Sequence, residues 1–113
     1  KLVAVYTLNK HQDAAYKFGD FKDNSDNFIV LHRLCVKPEY RGMGIAARTL
    51  KHIDEEALKE GFSSIRLDVF TKNPRAVKLY ESAGYSCAGD AYFRKGKFLL
   101  MEKLTSPHTS SEE

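Results

Sequence analysis

The sequence predicts a single α/β domain, a mixed β-sheet flanked by helices with a strand-helix-strand crossover at its middle. Three segments carry that expectation. Phe28–Val36 reads FIVLHRLCV, an almost unbroken apolar run of the kind found in a strand covered on both faces, and it is the candidate central strand. Within Ile45–Glu60 (IAARTLKHIDEEALKE), Ala46, Leu50, Ile53 and Ala57 recur at steps of four and three, while Arg48, Lys51, Glu55 and Lys59 fall elsewhere on the wheel. That spacing predicts an amphipathic helix. Ile65–Phe70 (IRLDVF) then returns as a strand, and strands joined through a helix lie parallel.

The remaining elements follow in chain order. Leu2–Leu8 is rich in β-branched and aromatic residues and stops at Asn9, as a strand does. His11–Asn27 scatters Ala14, Ala15, Tyr16, Phe18 and Phe21 among Gly19, Asp20 and the polar string from Lys22 to Asn27, and reads as an irregular strand followed by a loop. Pro38, in Lys37-Pro38-Glu39-Tyr40, closes the long strand because it cannot donate to a ladder and holds Lys37 extended. Gly61 stands just past the first helix, where a left-handed residue is wanted. Asn73-Pro74 is an N-cap with proline at the first helical position, opening a helix over Pro74–Ala83 that stops at Gly84. Tyr85–Phe93 and Lys97–Leu104 flank Arg94-Lys95-Gly96 as a hairpin. Residues 1–104 thus form one domain without repeat or linker. Thr105–Glu113 has almost nothing to bury and is expected to be disordered.

Composition narrows the function. At 113 residues the chain is shorter than one average domain of about 150, and one domain rather than a two-domain enzyme is the expectation. Its 42% hydrophobic content is enough for a core. Eighteen Lys and Arg against fifteen Asp and Glu leave a net charge of +3, too balanced to imply nucleic acid and better suited to a small anionic ligand. Cys35 and Cys87 sit in apolar runs without the spacing of metal sites, so no metal is expected and both read as buried free thiols in a reducing compartment. No segment approaches the roughly 20 apolar residues of a membrane span, and Lys1–Leu8 lacks a signal-peptide pattern. A cytoplasmic protein with no membrane partner is the expectation.

The most informative segment is Arg41-Gly42-Met43-Gly44-Ile45-Ala46, between the long strand and the first turn of the amphipathic helix. Glycines there let backbone N–H groups approach a ligand, and the helix N-terminus adds partial positive charge, so the segment suits a pyrophosphate. A tight strand-to-helix turn that merely needs glycine is the alternative. Ala47 stands where a dinucleotide GxGxxG would need its third glycine, and the Lys-Ser/Thr of a P-loop is absent.

Arg41-x-x-Gly44-x-Ala46 resembles the Arg/Gln-x-x-Gly-x-Gly/Ala signature of the GCN5-related N-acetyltransferases, and it follows a strand ending in Val36-x-Pro38 as that family's does. Asn73-x-x-Ala76-x-x-Leu79-Tyr80-x-x-x-Gly84-Tyr85 is similar to a second motif of the same family, at the matching distance. The resemblance covers about Phe28 to Leu104. It implies a splayed sheet with acetyl-CoA in the cleft, and an amine, from a small molecule or a peptide, as acceptor.

Carried over position by position, the resemblance implies that backbone groups of Leu34, Cys35 and Val36 pair with the pantetheine arm. Amides from Arg41, Gly42, Met43, Gly44, Ile45 and Ala46 would hold the pyrophosphate, with Lys37 and Arg48 nearby. Asn73 would cap its helix and approach the arm; Arg75 and Lys78 would be near phosphates or simply solvated. Tyr80 would protonate the departing thiolate, against the plainer role of a half-buried aromatic. Asp68, where ribosomal-protein-type relatives carry a glutamate, would take the acceptor's proton, through a water given its shorter side chain. His32 competes with it, since imidazole titrates nearest neutrality. His11, His52 and His108 read as solvent-facing. The family's fold usually opens with a strand and one or two helices before the segment at Leu2–Leu8, and those are expected to be missing. The second reading is a non-catalytic acyl-CoA-binding or sensor module. Edge strands of the C-terminal hairpin would also allow a homodimer.

Overall fold

The computed structural model describes residues 4–105; residues 1–3 and 106–113, with His108 and all but the first residue of the expected disordered tail, lie outside the described residues. Five strands, β1 (Ala4–Asn9), β2 (Phe28–Val36), β3 (Ser64–Phe70), β4 (Ser86–Phe93) and β5 (Gly96–Leu104), make one sheet in the order β1-β2-β3-β5-β4. β2 and β3 are parallel, joined through helix α1 (Ile45–Lys59), and the other pairs are antiparallel. Helix α2 (Pro74–Ser82) connects β3 to the hairpin.

β3, not Phe28–Val36, is the central strand. The hairpin returns its second strand against β3 over the whole stretch from Ser64↔Leu104 to Phe70↔Phe98, leaving β2 one place off centre. Burial follows that order. Only Phe28–Leu31 of β2 is buried on both faces, and the strand beyond alternates.

Both helices lie on one face of the sheet. Leu50, Ile53 and Ala57 of α1 pack there with Ile29, Leu31, Ile65, Leu67 and Met101, and α2 adds Ala76, Val77 and Leu79. α1 ends as the sequence predicts: Phe62 N–H reaches Ala57 O at 2.9 Å and Gly61 N–H reaches Leu58 O at 3.0 Å, which satisfies two of its last carbonyls.

The other face is covered by a short 3-10 helix, Ala14–Phe18, where the sequence suggested an irregular strand. The Asp13 carboxylate accepts from Ala15 N–H at 2.9 Å and caps this turn, and Tyr16 and Phe21 then bury against Phe28, Val30 and Leu100. The following loop is tied down by charge. Glu102, 3% exposed, accepts the N–H groups of Lys22 and Asp23, both at 2.9 Å, and the Arg66 guanidinium lies 4.0 and 4.1 Å from the ring centroids of Phe21 and Phe28.

Three expectations are corrected. Cys35 and Cys87 are free but exposed, because Cys35 lies past the point where β2 leaves β3 and Cys87 sits beside a register shift on the edge strand β4. Thr105 is buried and ordered, its N–H on Ser63 O at 3.1 Å and its hydroxyl donating to Phe62 O.

Candidate functional site

β2 and β3 separate in the middle of the sheet. Their pairing covers only Phe28↔Ser64, Ile29↔Ile65 and Val30↔Arg66; from Leu31 onward β2 runs with β1 alone. A bulge follows at once. Between Val5↔Cys35 and Thr7↔His32, β2 has one more residue than β1, and Arg33 takes up the extra length with a left-handed φ of 57°. One inserted residue reverses the facing of all that follows. His32, before the bulge, keeps the face of Val30, while Leu34, after it, packs on the helix face. Arg33 is thus the residue that turns the end of β2 toward the helices, a role the sequence did not show for His32-Arg33.

The split opens into a cavity of about 560 Å³ between the end of β2 and the facing parts of α1 and α2. Of the residues expected at the ligand, Leu34, Cys35, Val36, Arg41, Gly42, Gly44, Ile45, Ala46 and Asn73 line it. Tyr40, Ala47, Arg75, Ala76 and Leu79 line it too. Gly44 is the N-cap of α1 with φ 74°; it offers no side-chain cap, and the first turn carries no acidic residue. The first-turn N–H groups and the helix dipole therefore face the cavity unshielded by any carboxylate, which suits an anion. Arg41 and Arg75 add positive charge. Asn73 caps α2 as expected, accepting from Ala76 N–H at 3.3 Å.

Some expected residues lie elsewhere. Met43 is 59% exposed and outside the lining, and Arg48 turns its guanidinium to Met43 O at 3.5 Å. Lys37 and Lys78 are exposed and outside it as well.

Tyr80 does not line the cavity either; it lies next in sequence to Leu79, which does. Its ring meets Tyr85 edge-on at 5.7 Å between centroids. The backbone explains the pairing. Gly84, with φ 100°, lets its own N–H reach Glu81 O and Tyr85 N–H reach Tyr80 O, both at 3.0 Å, so the Tyr80-x-x-x-Gly84-Tyr85 pattern is a helix-terminating turn with its customary apolar contact. Burial pushes the Tyr80 phenol up, and the nearby charges of Asp68 and Cys35 push it further in the same direction. The proton stays on Tyr80 throughout the neutral range.

The Tyr85 hydroxyl is buried with no partner among the described residues, and burial raises its pKa as well. Tyr85→Phe removes that unsatisfied group and keeps the ring contact, so we expect the variant to be more stable by about 1 kcal/mol in urea unfolding. An unchanged or lower midpoint would show that the hydroxyl is satisfied in solution.

On the opposite face, Asp68 and His32 line a second pocket of about 320 Å³ with His11, Asp13, Tyr16, Phe93 and Phe98. The Tyr16 hydroxyl donates to Asp68 Oδ2 at 2.7 Å. Burial comes first among the causes that push the Tyr16 phenol far up, followed by the charge of Asp68, so Tyr16 remains the donor. His32 Nε2 lies 3.0 Å from Asn9 Oδ1 and 3.1 Å from His11 O. Sequence reasoning missed Asp13, Tyr16, Phe93 and Phe98. The signal available was Asp13 before Ala14-Ala15-Tyr16, a capping residue opening a short turn.

Residues 1–85 match the acetyltransferase (GNAT) family. The chain belongs to that family. A stretch of 56 residues is 46% identical to the thialysine N-epsilon-acetyltransferase of Bos taurus, covering 50% of this chain and 33% of that one. Among solved structures, the ribosomal-protein-S18-alanine N-acetyltransferase from Escherichia coli superposes with a TM-score of 0.64 at 27% identity, covering 71% of this chain and 56% of that one. A GCN5-related N-acetyltransferase from Kribbella flavida superposes with a TM-score of 0.71 over 90% of this chain and 60% of its own, at 17% identity, a likeness of fold. The chain spans about a third of the length of the curated relatives it matches. In this GNAT chain the matched region takes in the glycine loop, the split strands, Tyr16 and Tyr80, whereas Phe93 and Phe98 belong to the hairpin beyond it. No helix among its described residues is long and apolar enough to cross a membrane.

Proposed function

We propose that this chain is an N-acetyltransferase that moves the acetyl group of acetyl-CoA directly onto a primary amine. The observation that carries the reading is the cavity at the β2–β3 split, which joins free strand backbone at one end to the unshielded N-terminus of α1 at the other. The names of the relatives, acetyltransferases of thialysine and of a ribosomal-protein alanine, support an amine as acceptor.

Acetyl-CoA supplies an activated thioester. Backbone groups of Leu34, Cys35 and Val36 take its pantetheine arm, and the amides of residues 41–46, with Arg75, take its phosphates. An N–H of Leu34 or Cys35 polarises the thioester carbonyl. The amine enters from the opposite face, where Asp13 and Asp68 attract a cation and Tyr16, Phe93 and Phe98 offer ring surface to its carbon neighbours. Asp68 and His32 are the groups there able to receive a proton. The amine, once neutral, bonds through nitrogen to the acetyl carbon and yields its proton to one of those groups, the carbon–sulfur bond breaks, and Tyr80 gives its proton to the sulfur and regains one through water. Among the described residues neither cysteine has a hydrogen-bonded base to activate it, which supports direct transfer over an acyl-enzyme. Two free thiols also fit a reducing, cytoplasmic setting.

Calorimetric titration with acetyl-CoA, against dephospho-CoA and NAD as controls, tests the donor; thiol release with a pool of amines tests the transfer. We expect selective heat and release. Binding without release on any amine would mean a non-catalytic acyl-CoA module, and no binding would overturn the reading.

A further inference from the structure

We propose that Asn9 is a positioning residue that holds His32 in its Nε2–H form, so that Nδ1 receives the proton of the acceptor amine; this rests on the acetyl-transfer reading above. The Asn9 amide has a fixed orientation. Its Oδ1 accepts the backbone N–H of His11 at 2.8 Å, which fixes that atom as the oxygen rather than the nitrogen. The same Oδ1 and the His11 carbonyl are the two partners of His32 Nε2, at 3.0 and 3.1 Å. Both are acceptors only. Nε2 must therefore carry a hydrogen, and in the neutral ring the lone pair is on Nδ1. Nδ1 has no protein partner among the described residues, and His32 lines the acceptor pocket.

Asp68, the other group able to take the proton, has Oδ2 engaged by the Tyr16 hydroxyl at 2.7 Å. It holds the incoming cation, and His32 takes the proton. The bound ammonium first gives one proton to water; as the neutral nitrogen bonds to the acetyl carbon and the carbon–sulfur bond breaks, its second proton passes to Nδ1 and yields an imidazolium, Tyr80 protonates the departing sulfur, and the imidazolium's proton returns through water to the Tyr80 phenolate. Among the described residues, four titratable groups share the pocket with His32. They are His11 after β1, Asp13 and Tyr16 of the 3-10 helix, and Asp68 of β3. Lys10 is turned away, over the Phe28 ring and onto Asp26 O.

The test has two arms, the first of which needs no turnover. Long-range proton–nitrogen NMR of the free chain with labelled histidine should show His32 as the Nε2–H tautomer, and Asn9→Ala should mix the tautomers in a chain that still melts cooperatively. A His32 tautomer protonated on Nδ1, or one unmoved by Asn9→Ala, overturns the proposal whether or not the chain transfers acetyl groups.

The second arm measures kcat/KM against pH with acetyl-CoA and either thialysine or an alanine-led peptide. His32→Gln should lower kcat/KM about 100-fold at neutral pH and abolish the acid limb. Asn9→Asp keeps both hydrogen bonds but places a carboxylate on the imidazole, so the acid limb should move to higher pH, which it would not do if a group other than His32 received the proton. An acid limb kept in His32→Gln and lost in Asp68→Asn overturns the assignment of the proton. The expected tautomer without transfer to either amine would fell the acetyl-transfer reading and the proton role with it.

Discussion

Tyr80→Phe should lower kcat about 100-fold while leaving acetyl-CoA affinity within about threefold of the parent, the lower end of the range for loss of a general acid. The substitution is clean in structural terms. The phenyl ring retains the edge-on contact with Tyr85 at 5.7 Å, and the turn that ends α2 uses only backbone groups of Tyr80. What is lost is one proton. Burial, then the charges of Asp68 and Cys35, raise the phenol above its ordinary value near 10, so the acid is fully protonated at any working pH. A thiolate whose conjugate acid lies near 8.5 is a strong enough base to draw that proton only as the carbon–sulfur bond breaks, which makes the contribution specific to the transition state. Single-turnover kinetics with a thiol reagent, alongside calorimetry on both proteins, separates the two quantities. Parent-like turnover would remove Tyr80 from the chemistry and leave it the aromatic partner of Tyr85.

Elements written in local chemistry were legible in advance. α1 could be read from a four-and-three spacing and a terminal glycine, and α2 from Asn73, Pro74 and Gly84, because caps and periodicity act within one or two turns. The cavity lining beside the glycine loop was legible for the same reason, since a strand, a loop and a helix N-terminus that adjoin in sequence must adjoin in space. Three features were not, and each depends on distant pairing. The centre of the sheet moved to β3 because β5, some thirty residues later, pairs along its whole length. Arg33 reads as an ordinary strand residue, yet its left-handed backbone decides that His32 and Leu34 face opposite sides. The second pocket gathers His11, Asp13 and Tyr16 from one segment, His32 and Asp68 from two strands, and Phe93 and Phe98 from the hairpin. No spacing rule links those segments. Cys35 looked buried in an apolar run; it is exposed because the sheet opens beside it, the same event that creates the cavity.

Gly44→Asp and Gly44→Asn, taken together, should separate charge from shape at the end of that cavity formed by the α1 N-terminus. A Cβ at Gly44 meets nothing within 4 Å, so the only intramolecular cost is the left-handed φ of 74°, about 1–2 kcal/mol for most residues and less for Asn or Asp, which tolerate that region best. Both variants should fold. The Asp variant should be the more stable by a few tenths of a kcal/mol, because its carboxylate stands at the positive end of α1. Ligand binding should reverse that order. The two side chains have nearly the same size, so any common loss of acetyl-CoA affinity reports crowding of the loop. The additional loss in Gly44→Asp reports repulsion between a carboxylate and the pyrophosphate. We expect a few-fold loss for Asn and about 100-fold for Asp. The latter is roughly 2.7 kcal/mol, below the ~4 kcal/mol of two unit charges 4 Å apart near a protein surface because solvent screens the site. Raising the salt concentration should narrow the gap between the variants while leaving the Asn loss in place. Equal affinities for Asp and Asn at low salt would mean that no phosphate sits at the α1 N-terminus. The cavity would then have to bind its ligand through the strand end alone.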